Sequence, residues 1–218
     1  MLKLNLQMFA APGHTTGLRA GTFQNLQLNA GAFFKNCSYA SIANAGALKT
    51  AIQAAISGSS GALGTLLGAT RGGGNFTVRR ETRSPDADGK RYGYKGDTFV
   101  DSVEALLSTT LIEITPQAFK DALGCADITG AVPKQTIKLR TAIASTDYLT
   151  NICWVGDLAD GRYVLICLYN ALNESDVTLT FTDKGEGTLP VEFHAKQDTV
   201  DDYDEAPFEI VYFSAASL

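Results

Sequence analysis

The chain has 218 residues, of which 45% are hydrophobic, 9% aromatic and 19% charged, and its net charge is −5. This composition is typical of a globular protein and excludes an intrinsically disordered chain. Because no apolar run reaches 18 residues, a membrane-spanning helix is also excluded. We expect Lys3, Asn5 and Gln7 to prevent the opening residues from acting as a secretory signal.

The first third of the chain predicts little regular structure. Residues 1–22 predict an N-terminal arm, and residues 23–218 a single domain. Alternating apolar residues predict a strand within residues 23–34. Residues 41–57 carry apolar side chains at helical spacing, with Ser41 as the expected N-cap and Gly58 beyond the end. This helix lies in an Ala/Gly-rich insertion at about residues 37–74.

A long hairpin follows. Residues 75–83 and 98–114 both show the two-residue alternation of strands, and the polar residues 84–96 between them contain an Asp88-Gly89 turn. Two strands of this length around one polar loop predict an extended β-hairpin.

The rest of the chain predicts one helix and many strands. Thr115, Pro116 and Gly124 mark the two ends of a helix whose buried side is expected at Phe119, Ala122 and Leu123. Strands are predicted at residues 135–143, 147–156, 162–170, 176–183, 187–196 and 207–213. The fold class is therefore mainly β, an antiparallel β-sandwich or barrel with one flanking α-helix.

One strand register follows from a turn. If residues 159–161 form a three-residue loop with Gly161 left-handed, then Cys153 lies opposite Cys167 and Trp154 opposite Ile166. Both faces of this hairpin are apolar. We therefore expect it to be central and covered on both sides.

The residues predict no metal or cofactor site and no enzyme. The cysteines, at positions 37, 125, 153 and 167, are too widely spaced for a zinc or redox motif. His14 and His194 are the only histidines, and neither belongs to a catalytic motif. The glycine-rich residues 68–75 lack the Gly-Lys-Ser/Thr sequence that a phosphate-binding loop needs.

Charge is divided unevenly along the sequence. Residues 1–96 contain eleven basic and three acidic residues, whereas residues 97–218 contain seven basic and twenty acidic residues. The basic and aromatic residues at 79–95 are a pattern that can bind a nucleic acid, but the acidic residues of the rest of the chain would repel a phosphate backbone. A contact between the basic loop and an acidic surface of a second copy explains them better.

Several segments resemble one family. LLGATRGGGNFTV (66–78), LSTTLIEITPQAFKDALG (107–124) and the stretch from residue 160 to residue 213 are similar to the tail tube, or major tail, proteins of long-tailed bacteriophages. Within them, LIEITPQAFKDAL is the most specific motif. The opening MLKLNLQMFA is similar to leaders found on structural proteins of phages of Gram-positive hosts.

This resemblance implies a structural subunit that forms hexameric rings, which stack into a hollow tube. The implied partners are other copies of the chain, the tape measure protein, the tail terminator and the tail tip or baseplate proteins. DNA would pass through the lumen only transiently, and no membrane is involved. The implied location is the virion tail, after assembly in the host cytoplasm.

Two sets of residues are expected to serve such a tube. The predicted ring contacts are Arg79, Arg80, Arg83, Asp86, Asp88, Lys90, Arg91, Tyr92, Tyr94 and Lys95, facing Asp201, Asp202, Asp204 and Glu205. Because carboxylates repel DNA, the predicted lumen residues are Asp101, Glu104, Glu113, Asp183 and Glu192.

Two alternatives remain open at this stage. One is the inner tube of a contractile tail or of a phage-tail-like bacteriocin, which belongs to the same family. The other, from a different class, is a β-sandwich module for capsid decoration or adhesion.

Overall fold

A computed structural model describes Arg19 and residues 22–59, 61–198 and 205–214. The protein is mainly β and antiparallel, as predicted. Its helices are α1 (Ala45–Ile56) and α2 (Pro116–Leu123). Its strands are β1 (Ala32–Lys35), β2 (Thr65–Leu66), β3 (Thr70–Arg83), β4 (Phe99–Leu111), β5 (Ala126–Thr129), β6 (Thr136–Leu139), β7 (Leu149–Asp157), β8 (Tyr163–Asn173), β9 (Leu189–His194) and β10 (Phe208–Phe213).

Eight strands form one hydrogen-bonded sheet that folds over itself. The order is β2-β1-β7-β8-β9-β4-β3, and β10 also pairs with β8. The first half of β8 pairs with β10, whereas its last two residues pair with β9 on the same side. Asn170, at φ 45°, lies where β8 changes partner. We call β2, β1, β7, β8 and β10 the back sheet, and β9, β4 and β3 the front sheet.

The two sheets enclose the main core. Phe33, Ile152 and Leu168 of the back sheet pack with residues of the front sheet such as Leu107 and Phe193. α2 contributes to this core through Ala118 and Ala122. The fold is therefore sandwich-like, with apolar side chains of both sheets buried between them.

A second core lies on the outer side of the back sheet. There α1 places Leu48, Ala51 and Ala55 against the side chains of Cys153 and Cys167. The hairpin of β7 and β8 is thus buried on both faces, as its two-sided apolar pattern predicted.

The predicted register of that hairpin is confirmed. Cys153 pairs with Cys167 and Trp154 with Ile166. Leu158 N donates to the carbonyl of Arg162 at 2.8 Å, and Gly161 has φ 83°. The left-handed Gly161 closes the turn, and the turn fixes which residues of β7 and β8 lie opposite each other.

One predicted helix is confirmed in its limits, and the other begins later than expected. The Thr115 side chain caps α2 by accepting from Ala118 N, and Gly124 ends it at φ 71°. In α1 the N-cap is Asn44, whose side chain accepts from Ala47 N, and not Ser41. Ser41 belongs to a short 3₁₀ turn, because the chain becomes extended again at Ile42.

The buried side of α2 is also rotated from the prediction. Ala118, Asp121 and Ala122 are buried, whereas Phe119 and Leu123 are only partly buried. A carboxylate occupies the buried side because it has a cationic partner there, Lys35 of β1.

Two predicted strands are wrong, and β2 and β5 were not predicted. Residues 23–34 yield only the start of the short β1, because Thr22–Asn25 form a 3₁₀ turn and Gly31 at φ 71° interrupts the extended conformation before Ala32. Residues 176–183 form no strand beyond one bridge between Thr180 and Thr188, and Phe181 there is exposed. The 135–143 prediction shortens to β6, whose partner β5 was not predicted.

Candidate subunit interface

The front half of the long hairpin extends beyond the sandwich as a two-stranded ribbon. β9 pairs with β4 from Leu106 to Leu111, and Ala195 N donates to the Ala105 carbonyl at 3.0 Å, so among the described residues no strand pairs with the outer side of β4 from Phe99 to Glu104. We call residues 78–105 the ribbon. Two strands without a covering layer are marginal in water, which favours a partner for this element.

Apolar side chains are exposed on the ribbon and its loop. Phe99 and Val100 are 51% and 55% exposed, and Val78 and Val103 point to the same side as the core residues Phe76 and Leu107. Tyr92 and Tyr94 in the loop are 78% and 61% exposed. Such a cluster on a projecting element is typical of a protein contact surface.

Three of the six basic residues of the ribbon are paired within it. Arg79 Nη1 donates to Glu104 at 3.2 Å, and Arg83 Nε donates to Asp101 at 2.7 Å across the two strands. Residues 79–104 contain six basic and six acidic residues and are therefore neutral as a unit. The boundary between the basic residues 1–96 and the acidic residues 97–218 falls inside this hairpin. Part of the charge difference between the two segments therefore comes from assigning paired residues of one hairpin to different segments.

An ion pair holds the loop in one shape. Lys90 Nζ lies 2.8 Å from Asp97, and Tyr94 N donates to the same carboxylate at 2.9 Å. Hydrogen bonds from Lys90 and from the Tyr94 backbone hold the pKa of Asp97 well below its usual range. The loop therefore presents its two tyrosines on a structured turn.

Some of the remaining predicted contact residues lie in the part of the chain that the structure describes, and the others lie outside it. Arg80, Arg91 and Lys95 form no ion pair among the described residues, and Asp86 and Asp88 are exposed in the same loop. Asp201, Asp202 and Asp204 lie outside the described residues, as does nearly all of the predicted arm, whereas Glu205 is exposed before β10. Pairing of the loop with this acidic stretch stays a prediction.

The outer side of the front sheet is polar. The register places Thr77, Ser108 and Thr110 on this side, which we call the polar face, together with Glu104, Glu192 and His194. Leu106 lies on the same side but is buried, so the exposed part of this face is formed mainly by hydroxyl and charged side chains.

His194 lies at the centre of a charged cluster on the polar face. Its Nδ1 is 3.0 Å from Glu104 and 3.8 Å from Glu174, and its Nε2 is 3.4 Å from Glu192. Lys196 Nζ contacts Glu174 at 2.5 Å. Burial acts to raise the pKa of Glu104, but hydrogen bonds from His194 and Arg79 outweigh it and lower that pKa.

The structure therefore brings together two of the five predicted lumen residues. Glu104 and Glu192 share the polar face, whereas Asp101 is paired within the ribbon. Glu113 lies after β4 and accepts from Ala69 N at 3.1 Å, and Asp183 is exposed in a turn. The role of His194 was missed, although Glu192, His194 and Lys196 alternate in the sequence and so share one side of an extended segment.

Two further observations limit the chemistry of the described residues. No group of three or more His, Cys, Asp or Glu side chains among them is arranged to hold a metal ion. Within the same ranges, no helix has the length and apolarity that crossing a bilayer requires.

Comparison with known proteins leaves the chain without an assigned family. No protein-family model matches it, and no curated protein sequence matches it.

Proposed function

We propose that this chain is the structural subunit of a bacteriophage tail tube and assembles as stacked hexameric rings around a hollow conduit for DNA. The observation that carries the proposal is the ribbon, a long two-stranded projection with exposed apolar side chains and an unpaired edge. It supports the proposal because such an element gains burial and backbone partners when it packs against another subunit.

The edge of β3 supports a shared barrel. β3 has fourteen residues and pairs only with β4 among the described strands, so its other side presents a row of free backbone groups. Closure of successive front sheets around a ring removes such edges. In this arrangement the apolar side of the ribbon, with Val78 and Val103, packs against the neighbouring subunit.

The polar face suits the wall of a conduit. Its Ser and Thr hydroxyls and the carboxylates of Glu104 and Glu192 give DNA little to bind, because the cations Arg79 and Lys196 are already paired with glutamates. Repulsion by the carboxylates keeps a polyanion moving. The tape measure protein would occupy this lumen during assembly, and the terminator and tip proteins would cap the two ends.

The proposal is tested by negative-stain electron microscopy of the purified, concentrated protein. We expect hollow tubes of stacked sixfold rings from the wild type. Val78→Asp places a charge on the apolar side of the ribbon, opposite Ala105, and should abolish the tubes. Thr77→Asp, exposed on the opposite side of the same strand, is the matched control and should still form them.

Other outcomes would contradict the proposal. A stable dimer or trimer without tubes at any salt concentration would favour the decoration or adhesion module. Tubes formed equally well by Val78→Asp would show that the ribbon is not the contact. A contractile tail or bacteriocin tube would pass the same test, and neighbouring sheath genes would distinguish it.

A further inference from the structure

An apolar groove opens between the two sheets beside the start of β3. Its volume is about 450 Å³, and its walls and floor include Phe33, Phe76, Leu107, Trp154 and Ile166. Phe33 and Leu107 are buried at the floor, whereas Trp154 and Ile166 are only partly buried. The edge of the main core is therefore partly exposed at this position, through Phe76, Trp154 and Ile166.

The lip of the groove is a bulged stretch of β3, in which the Gly73 carbonyl accepts from the Thr109 hydroxyl at 2.7 Å. Thr70 pairs with Leu111 and Gly74 with Thr109, so three residues of β3 stand opposite the single residue Thr110. Gly72 and Gly73 have φ values of 77° and 73° and carry no side chain that could close the groove. An apolar floor beside a free strand edge is the combination that binds an extended segment with alternating apolar side chains.

One part of the chain outside the described residues has that pattern. Leu2, Leu4, Leu6 and Met8 alternate with Lys3, Asn5 and Gln7, which is the period of a strand with one apolar side. Residues 199–204 instead contain three aspartates, and residues 215–218 (AASL) do not alternate in this way. The chemistry of the groove therefore selects the N-terminal residues.

The residues that link the N-terminal segment to the described part of the chain are numerous enough for the segment to reach the groove of its own subunit. Gln27 and Ala30 line the groove, and Trp154 Nε1 donates to the carbonyl of Ala30 at 2.9 Å. The ten residues between Met8 and Arg19 span up to about 35 Å when extended. A tether of this length gives the segment a high effective concentration at the groove.

We propose that residues 2–8 of the same chain add as a strand along the Gly72–Asn75 edge, with the leucine side chains in the groove beside Trp154. This docking site belongs to a single subunit and uses only the Gly72–Asn75 part of the β3 edge, which leaves Phe76–Arg83 for the neighbouring subunit of the proposed tube.

The test compares two full-length variants at concentrations where the chain is unassembled. L4S/L6S removes the apolar side of the segment, and N5S/Q7S changes its polar side equally and serves as the control. Hydrogen–deuterium exchange of residues 71–76 is measured together with the emission of Trp154, the only tryptophan. Exchange in α2 checks that the domain remains folded.

We expect L4S/L6S to accelerate exchange of residues 71–76 about tenfold and to shift Trp154 emission to longer wavelength, because the lip opens and the ring meets water. N5S/Q7S should match the wild type, and protection should not change on hundredfold dilution. Equal exchange in wild type and L4S/L6S would overturn the proposal. Protection lost on dilution would also overturn it, by assigning the groove to a second copy. Neither result depends on whether tubes form.

Discussion

Removal of Lys35 should destabilise the protein more than most single substitutions would. The Lys35 ammonium at the end of β1 pairs with Asp121 of α2, and the two side chains are 10% and 4% exposed. Gln117 Nε2 also donates to Asp121 at 2.8 Å. In K35M the carboxylate keeps only this neutral donor and remains buried, which costs about 3–5 kcal/mol.

The effect is large compared with the total stability. A domain has about 5–15 kcal/mol of unfolding free energy, so the loss is a major fraction of it. With a urea m-value of about 2–3 kcal/mol/M, a loss of about 4 kcal/mol lowers the unfolding midpoint by roughly 1.5–2 M. Trp154 fluorescence follows the transition.

Two further variants identify the cause. K49M replaces an exposed lysine of α1 and should change the stability by less than about 0.5 kcal/mol. K35M/D121L removes both charges and should recover much of the loss, because the penalty comes from an unpaired buried charge. A K35M midpoint equal to that of K49M, or a double variant less stable than K35M, would refute the reasoning.

Two other predictions concern the cap of α1 and the charged cluster. Asn44→Ala should lower the unfolding free energy by about 1 kcal/mol and Ser41→Ala by much less, because only the Asn44 side chain caps α1. Equal losses for the two variants in urea titrations would contradict the assignment of Asn44 as the cap. Because the pKa of Glu104 is lowered by folding, its contribution to stability is present above the ordinary carboxyl pKa and is lost as the pH falls through the lower folded value. The stability difference between wild type and Glu104→Gln should therefore be largest near neutral pH and shrink on acidification, and a difference that grows at low pH would contradict it.

Capping and turn residues in the sequence correctly predicted α2 and the hairpin of β7 and β8, because residues close in sequence set the limits of both. The caps at Thr115 and Gly124 defined α2, and the turn at Gly161 defined the register of β7 and β8. Both features act over a few residues, so the sequence contains them directly.

Contacts between distant residues were not predictable in the same way. Lys35 and Asp121 are 86 positions apart, and nothing near either residue indicates the other. The neutrality of the ribbon likewise depends on pairing residues 79–83 with residues 101–104 across a hairpin. Counting charge along the chain separated partners that the fold brings together.

The change of partner within β8 also has a mechanical meaning. Its first half is hydrogen-bonded into the back sheet and its end into the front sheet, with Asn170 at the bend. A pull on the front sheet therefore reaches the back sheet through covalent backbone as well as through side-chain packing. Force applied to one sheet is therefore transmitted to the other through β8. Sliding one sheet past the other would require breaking the hydrogen bonds that β8 makes with β10 or with β9.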